Sequence, residues 1–314
     1  MLKHGVPGRR AESRVRARIK KRQQMRRLSI LVTVLIIAVS LGVGAYFLST
    51  SGQSSKLDQY IGQPVSSSDM AALVSASGQP YGPAAPATMQ GVLQKYSGVP
   101  FTSGGKPTFV YIGGDFCPYC AVDRWALVLA LMRFGTFSGL HYMTSSPNDV
   151  GTGDFATFTF VGSSYSSQYI AFRPYEAYDR SRNPLQTVPS NYSALWNSKA
   201  SGGVPFLNFG NSYIAATSVL ADPTILTGRN WTSTIAGIST SDGAGIQIRE
   251  AANLITAVIC KLTQGSPASV CSASPIGSET SSIGAPHAAG LTIVPPQSFV
   301  LQGQSPEPYL RRLA

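Results

Sequence analysis

The tetrapeptide Cys117-Pro118-Tyr119-Cys120 is the feature that most constrains what this chain can fold into. It follows a continuous apolar run, Phe109 to Ile112, which is typical of a buried parallel strand. The next segment, Ala121 to Phe134, predicts a helix, because its apolar residues recur at helical spacing and Gly135 is a stop signal. We therefore expect the two cysteines at a strand-to-helix turn, with Cys117 close to the N-terminus of the helix.

Two cysteines separated by two residues can close to a disulfide or open to a dithiol, which is reversible two-electron chemistry. The unpaired N–H groups and the dipole of a helix N-terminus favour a thiolate at Cys117. We predict Cys117 as the nucleophile and the more exposed sulfur, and Cys120, one turn further on, as the resolving cysteine. Pro118 has no N–H to donate and suits the first helical turn. The arrangement is typical of thiol–disulfide oxidoreductases.

A cysteine pair of this spacing also occurs in zinc sites and in inert disulfides. A structural zinc site needs two further ligands. The remaining cysteines, Cys260 and Cys271, are widely spaced for a zinc knuckle, and His141 is the sole histidine of the predicted folded region. No metal is therefore predicted, and no cofactor other than the Cys117–Cys120 disulfide itself. An inert structural disulfide is the second alternative, but so short a ring rarely constrains the unfolded chain usefully.

The N-terminal part of the chain predicts a membrane anchor. Residues 1–27 contain eleven Lys or Arg and one acidic residue, so they carry almost the whole net charge of +11. Residues 28–48 have no charge and are long enough, at helical rise, to cross a bilayer core of about 30 Å. The charge asymmetry predicts a cytoplasmic tail and an extracytoplasmic C-terminal domain in a single-pass protein of the cell membrane.

Each of these segments has an alternative role. Residues 28–48 could be a cleaved signal peptide, but they are longer than a usual apolar signal region. The basic tail could bind nucleic acid, but beside a membrane span it more often sets topology and touches anionic lipid, so we predict no nucleic-acid partner. All four cysteines lie beyond the span, as expected in an oxidising compartment.

Beyond the span, the sequence predicts a linker over residues 49–88 that allows a short helix, and a folded domain over residues 89–271. Leu140 to Met143 is predicted to be the second core strand. Phe155 to Val161 and Tyr169 to Phe172 are predicted to form a hairpin. An insertion is expected at about residues 145–200, a final helix at about 246–263, and a disordered tail over residues 272–314, which are rich in Ser, Pro, Ala and Gly.

Cys260 and Cys271 are predicted to form a structural disulfide. Cys260 falls in the last turn of the final predicted helix and Cys271 in the Gly-Ser-Pro loop that follows, so a short span would be closed. Two free thiols, or zinc ligation, are the alternatives.

The order of strand, C-x-x-C, helix, strand, insertion, X-Pro strand, hairpin and helix resembles the thioredoxin superfamily, over roughly residues 106–262. The resemblance implies an α/β, thioredoxin-like domain, with a central mixed sheet flanked by helices and an insertion, here behind one N-terminal transmembrane helix. It also implies a cis Val204–Pro205 bond facing the disulfide, with the backbone of Val204 pairing with a bound peptide. Pro118 and Tyr119 would complete the substrate-binding residues, and the tetrapeptide matches glutaredoxins and some periplasmic disulfide isomerases.

A closer resemblance is to a prokaryotic family of membrane-anchored proteins, domain-of-unknown-function family 929. The segments that carry it are Gly105-Lys106-Pro107, Tyr119-Cys120-Ala121, Arg124-Trp125-Ala126-Leu127, Leu131-Met132-Arg133-Phe134-Gly135 and Ile259-Cys260-Lys261-Leu262. That family supplies no function, so the expectation rests on the thiol chemistry.

Four residues around the motif have competing roles. Asp115 and Asp123 are candidates to relay a proton to Cys120, as a buried acid does in thioredoxins. The alternative roles are a turn residue for Asp115 and a first-turn acid favoured by the helix dipole for Asp123. Arg124 could stabilise a thiolate, although such an arginine is more often solvated or ion-paired on a helix face, and Trp125 is expected in the core.

The leading prediction is a membrane-tethered thiol–disulfide oxidoreductase (an oxidase, reductase or isomerase) acting on exported proteins. Its redox partner would be a quinone-linked oxidase or a thiol-reducing transporter of the membrane. One alternative is a non-enzymatic peptide-binding or chaperone module. A weaker one is a protein that handles a soft metal through the dithiol.

Overall fold

The computed structural model describes residues 56–149 and 153–284. The predicted basic tail and membrane span, residues 1–48, lie outside these ranges. Within them, no helix combines the length and the apolar character that crossing a membrane requires. The folded unit begins at Lys56.

The helices, in chain order, are α1 (Ser67–Ser77), α2 (Ala87–Gln90), α3 (Pro118–Met132), α4 (Ser190–Ala200), α5 (Trp231–Thr240), α6 (Gly243–Leu262), α7 (Ala268–Cys271) and α8 (Ile276–Ser282). Two short 3₁₀ segments are Asp58–Tyr60 and Pro223–Leu226.

The strands are β1 (Gln94–Lys95), β2 (Thr102–Ser103), β3 (Lys106–Gly114), β4 (Gly135–Ser138), β5 (His141–Thr144), β6 (Ala156–Thr159), β7 (Ser164–Ser167), β8 (Ala171–Tyr178), β9 (Phe206–Phe209) and β10 (Tyr213–Ala215).

The central sheet is mixed, and β3 lies inside it. On one side β3 pairs in parallel with β8, from Thr108 opposite Ala171 to Gly113 opposite Glu176. On the other side it pairs antiparallel with β9, which continues into β10 and β1. Because both edges are paired and both faces are covered, β3 is buried from Thr108 onward, which explains its unbroken apolar sequence.

Helices cover both faces of this sheet. Phe109 and Tyr111 of β3 belong to a core shared with α3 and α6. The alternate residues, Val110 and Ile112, belong to a core shared with Trp196 of α4. This period of two is the ordinary side-chain alternation of a strand. The domain is therefore a mixed α/β fold with flanking helices, as the sequence predicted at this level.

The strand that pairs in parallel with β3 is not the one that the sequence predicted. The predicted second core strand corresponds to β5, but β5 pairs with β6 in a separate two-stranded sheet. The true partner, β8, lies within the predicted insertion at 145–200. The predicted hairpin between 155–161 and 169–172 is also wrong. The serine-rich stretch between these two segments forms β7, which pairs with β4.

The predicted linker over residues 49–88 is part of the folded domain from Lys56 onward. Leu73 of α1 is completely buried. The proline-rich stretch after α1 is held by polar side chains of α6. Arg249 Nη1 donates to the Pro80 carbonyl (2.6 Å), and Asn253 Nδ2 donates to the Pro83 carbonyl (2.6 Å). Such bonds satisfy backbone groups that neither a helix nor a strand pairs, so the segment can be buried.

The predicted disordered tail is also wrong for its first residues. Residues 276–282 form α8, in which Ile276 is fully buried, and the carboxylate of Glu279 accepts a hydrogen bond from the backbone N–H of Ala85. The predicted disulfide between Cys260 and Cys271 is present in the structure, with their Cα atoms 5.5 Å apart. It joins the end of α6 to α7 and so holds the chain that leads to α8.

Burial of α1 makes a direct prediction for the segment that looks like a linker. Leu73→Ala should lower the free energy of unfolding by about 2–5 kcal/mol, because it empties a closed core position. Its neighbour Val74 is 57% exposed, so Val74→Ala should change stability by less than about 0.5 kcal/mol. Chemical denaturation of both variants measures the difference. If both substitutions changed stability equally and only slightly, residues 56–86 would be a linker and not part of the core.

Candidate redox site

The cysteine motif lies at the turn from β3 to α3, as the sequence predicted. Cys117 is the N-cap of α3, and Pro118 occupies the first helical turn. The Cys117 sulfur accepts the backbone N–H of Cys120 at 3.1 Å, so a side chain of the motif satisfies a donor that the helix itself leaves unpaired. The Cys117 N–H donates in turn to the Gly114 carbonyl at 3.1 Å, which closes the turn.

Both cysteines of the motif are free thiols and both are buried, Cys117 at 1% exposure and Cys120 at 0%. The two exposed fractions differ by only one percentage point, so the prediction that Cys117 has the more exposed sulfur stays a prediction. The predicted insertion contacts the turn next to the cysteines, where the Ser146 N–H donates to the Phe116 carbonyl at 2.9 Å. The side chain of Phe116 packs with Cys117 and Val204 in the smaller of the two apolar cores.

Burial acts on the second thiol in particular. Removal from water raises the pKa of Cys120 well above its usual range, and the adjacent Cys117 adds to the increase. A buried group resists the form that carries charge. Cys120 is thus held as a neutral thiol within the first turn of α3, while the Cys117 sulfur receives the backbone N–H bond.

The Val204–Pro205 bond is cis, as the resemblance implied, and the segment before the proline lies against the cysteines. The Cys117 thiol donates to the Val204 carbonyl, with sulfur and oxygen 3.7 Å apart. Trp196 holds this segment, since its Nε1 donates to the Gly203 carbonyl at 2.8 Å. The sequence placed Trp196 in an insertion, and nothing in its local pattern linked it to the motif.

Behind the motif lies a buried arginine with two carboxylates. Arg124 Nε and Nη2 donate to the two carboxylate oxygens of Glu176 at 2.9 and 2.6 Å. Nη2 also donates to the Gly114 carbonyl at 2.9 Å and lies 3.5 Å from Asp115 Oδ1. Arg124 and Glu176 are completely buried, so Arg124 is ion-paired inside the protein and not on a solvated helix face. No sequence pattern singled out Glu176.

Asp115 is buried but lines a cavity of about 450 Å³ together with His141 and Arg180. Burial raises the pKa of Asp115 to about 7, and the nearby Glu176 carboxylate adds to the increase while Arg124 opposes it. Of the two acids predicted as proton relays, Asp115 is the one that contacts the arginine behind the motif.

Asp123 is bound to a different part of the chain. Its carboxylate accepts the Ser218 hydroxyl at 2.8 Å and the backbone N–H groups of Val219 and Leu220, each at 3.2 Å. Burial raises the pKa of Asp123 to about 7, and these donors oppose the increase. The contacts make Asp123 a fully buried anchor for the segment after β10. The alternative role, a first-turn acid favoured by the helix dipole, does not account for these contacts. Trp125, two residues further along α3, is buried in the core as predicted.

Two further residues of the site differ in exposure. Tyr119, inside the motif, is half-buried and packs against the smaller core. Tyr111 of β3 is fully buried, and its hydroxyl has no hydrogen-bond partner among the residues that the structure describes. That hydroxyl lies over Gly113, where a Cβ atom would overlap the oxygen. Residue 113 therefore has no room for a side chain while Tyr111 is present.

Comparison with known proteins identifies a family but no activity. The family model described as "Domain of unknown function (DUF929)" matches residues 92–261, more than half of the chain. The matched range contains the cysteine motif, Glu176 and the Val204–Pro205 bond. No curated protein matches the chain, and no solved structure matches it.

The burial of Asp115 makes stability depend on pH in a fixed direction. Its pKa of about 7 in the folded protein exceeds the value of about 4 expected for an unfolded chain, so the folded state binds more protons between these values. The contribution of Asp115 to the free energy of unfolding should be fully present below about pH 4 and fall as pH rises to about 7, by at most about 1.4 kcal/mol per pH unit.

Thermal unfolding from pH 4 to pH 8 measures this slope. Asp115→Asn should make it shallower, because the amide does not titrate. Burial also raises the pKa of Glu279 to about 7, so Glu279→Gln should reduce the slope further when the two changes are combined. A slope that Asp115→Asn leaves unchanged would contradict the prediction.

Proposed function

Because the chain belongs to the DUF929 family, whose description names no activity, we propose its function from the site itself: thiol–disulfide exchange with exported proteins. One observation carries the proposal. The Cys117 sulfur lies at the start of α3, bonded to the N–H of Cys120 and facing the carbonyl of Val204. A sulfur in this position can form a mixed disulfide with a peptide whose backbone lies beside Val204.

The element order supports a thioredoxin-like assignment for the domain. After β3 and α3, the chain returns through β8 parallel to β3, and α4 leads to the cis proline. The antiparallel pair β9–β10 and the long helix α6 follow. This is the order of strand, helix, strand, X-Pro strand, hairpin and helix on which the resemblance to the superfamily rests, with residues 135–170 as the larger insertion.

The proposed exchange proceeds in two balanced steps. The Cys117 thiolate attacks one sulfur of a substrate disulfide, and the other substrate sulfur leaves as a thiolate with the electron pair. Cys120 then gives its proton to the substrate thiolate released in the first step and attacks the Cys117 sulfur, which releases the second substrate thiolate and leaves a Cys117–Cys120 disulfide. The substrate gains two electrons and the pair loses two. The same steps in reverse oxidise a substrate dithiol.

Regeneration needs a second partner. After one reaction, a redox partner must oxidise the dithiol or reduce the disulfide again. For this partner we propose a quinone-linked oxidase or a thiol-reducing transporter in the same membrane.

The proposed location is extracytoplasmic, with residues 28–48 as a single-pass anchor in the bilayer. Protease added to spheroplasts should then digest a C-terminal tag, and complete protection of the tag would reject this orientation.

One observation favours a second candidate function. Because Cys117 is only 1% exposed, exchange with a protein substrate requires the surface around the motif to open. A peptide-binding or chaperone module that does not cycle between thiol and disulfide has no need to expose the sulfur, although a peptide that pairs with Val204, itself 4% exposed, still has to reach a buried backbone. Reduction of insulin by the purified protein separates the two functions, since only the oxidoreductase shortens the time to insulin precipitation. Soft-metal binding by the dithiol stays a weaker prediction, tested by the metal stoichiometry of the reduced protein.

The roles of the two cysteines predict which variant traps substrate. Cys120→Ala should accumulate mixed disulfides with exported proteins, because the intermediate on Cys117 is no longer resolved from within. Cys117→Ala should trap nothing and lose at least about 99% of exchange activity, since Cys120 is buried and held as a thiol.

Non-reducing gels and mass spectrometry of tagged variants from cells measure the trapping. The double variant Cys117→Ala/Cys120→Ala is the matched control for disulfides formed by other thiols. Trapping by Cys117→Ala alone would reverse the roles, and trapping by neither, together with inactive wild-type protein, would remove the oxidoreductase proposal.

A further inference from the structure

We propose that Arg124 and Glu176 are positioning residues that set the geometry of the Cys117–Cys120 pair through the carbonyl of Gly114, and that their charges set the rate at which the disulfide of this pair is opened. This inference rests on the proposed thiol–disulfide exchange. It goes beyond that proposal in assigning a role to a buried ion pair that touches neither sulfur.

One backbone acceptor is shared by the arginine and the motif. The Gly114 carbonyl accepts the Arg124 guanidinium at 2.9 Å and the Cys117 N–H at 3.1 Å. Gly114 is also where the pairing with β8 shifts, from Gly113 opposite Glu176 to Gly114 opposite Tyr178. Irregular pairing of this kind often re-aims the residues beside an active site. Arg124 therefore fixes the carbonyl that fixes the first cysteine of the motif.

Glu176 fixes Arg124 in turn. The two side chains make a two-bond contact, which holds a guanidinium in one orientation. Glu176 comes from β8, the strand that pairs with β3, so the sheet itself sets its position. A fully buried ion pair contributes little net stability compared with apolar residues of similar volume. Stability alone therefore gives no reason for an arginine and a glutamate at these positions.

The charge of Arg124 also acts on Cys120. Arg124 follows Cys120 by four residues on α3, so the two lie on the same helix face, one turn apart. When a thiolate attacks the Cys117 sulfur of the oxidised pair, the sulfur–sulfur bond breaks and Cys120 leaves with the electron pair. The positive charge of Arg124 favours that thiolate, and the negative charge of Glu176 disfavours it. The Cys120 thiolate then takes a proton from water.

Two variants should change the rate of disulfide opening in opposite directions, because Cys120 carries a charge only as it leaves and ends as a neutral thiol. Glu176→Gln keeps the shape of the side chain but leaves the charge of Arg124 uncompensated, which favours the departing thiolate and speeds the opening. Arg124→Met removes the positive charge and leaves the negative charge of Glu176 uncompensated, so both effects disfavour that thiolate and slow the opening. We expect a change of about tenfold in the rate constant in each case.

Asp123→Asn is the matched control, because it removes an equally buried acid from the same helix without touching Gly114. The measurement mixes the purified, oxidised full-length protein with excess dithiothreitol at pH 7, stops samples at intervals with acid, and follows the reduced fraction of the Cys117–Cys120 pair by mass spectrometry. Loosening of the fold alone would shift both variants in one direction. Shifts of the same sign, or shifts no larger than that of Asp123→Asn, would overturn the proposal.

Arg124→Lys separates the charge of the arginine from its geometry. It keeps the charge but loses the planar two-bond contact, so it should recover more than half of the change in opening rate, on a logarithmic scale, seen with Arg124→Met. If Arg124→Met does not fold, the comparison of Glu176→Gln with Asp123→Asn tests the proposal. None of these measurements uses a protein substrate. Absence of trapped exported proteins would therefore remove the proposed function while leaving the predicted shifts intact.

Discussion

The fold depends on the pairing of β3 along both of its edges. A strand that is hydrogen-bonded to β8 on one side and β9 on the other cannot shift in register without disturbing both neighbours. Its C-terminal end therefore has a fixed position relative to the elements that follow each neighbour. Those elements bring the other parts of the site to the cysteines: Glu176 comes from β8, and the Val204 carbonyl comes from the segment just before β9.

The features of the site that are local in sequence could be predicted, and the reason is physical. An apolar strand, a C-x-x-C turn and a helix follow one another directly, so short-range rules suffice for Cys117 and Cys120. The Cys260–Cys271 disulfide likewise joins residues only 11 apart. The cis Val204–Pro205 bond came from the resemblance and not from the local sequence, since most X–Pro bonds are trans.

The parts that depend on distant pairing could not be predicted. β8 contains Arg173, Pro174 and Glu176, which weaken the apolar pattern of a core strand. Glu176 has its partner 52 residues earlier in the chain, and no pattern of spacing indicates such a pair. The folded state of residues 79–86 could not be predicted either. Side chains of α6 donate hydrogen bonds to carbonyl groups there, and a proline-rich sequence does not indicate such bonds.

The contact between Tyr111 and Gly113 limits how this sequence can diverge. Since a Cβ atom at residue 113 would overlap the Tyr111 oxygen, no single substitution can introduce a side chain there without displacing the tyrosine ring. With a smaller residue at 111, alanine at 113 no longer requires that displacement, so the order of the two changes matters. During evolution, the residues that are tolerated at position 113 therefore depend on the residue at position 111, and the reverse also holds.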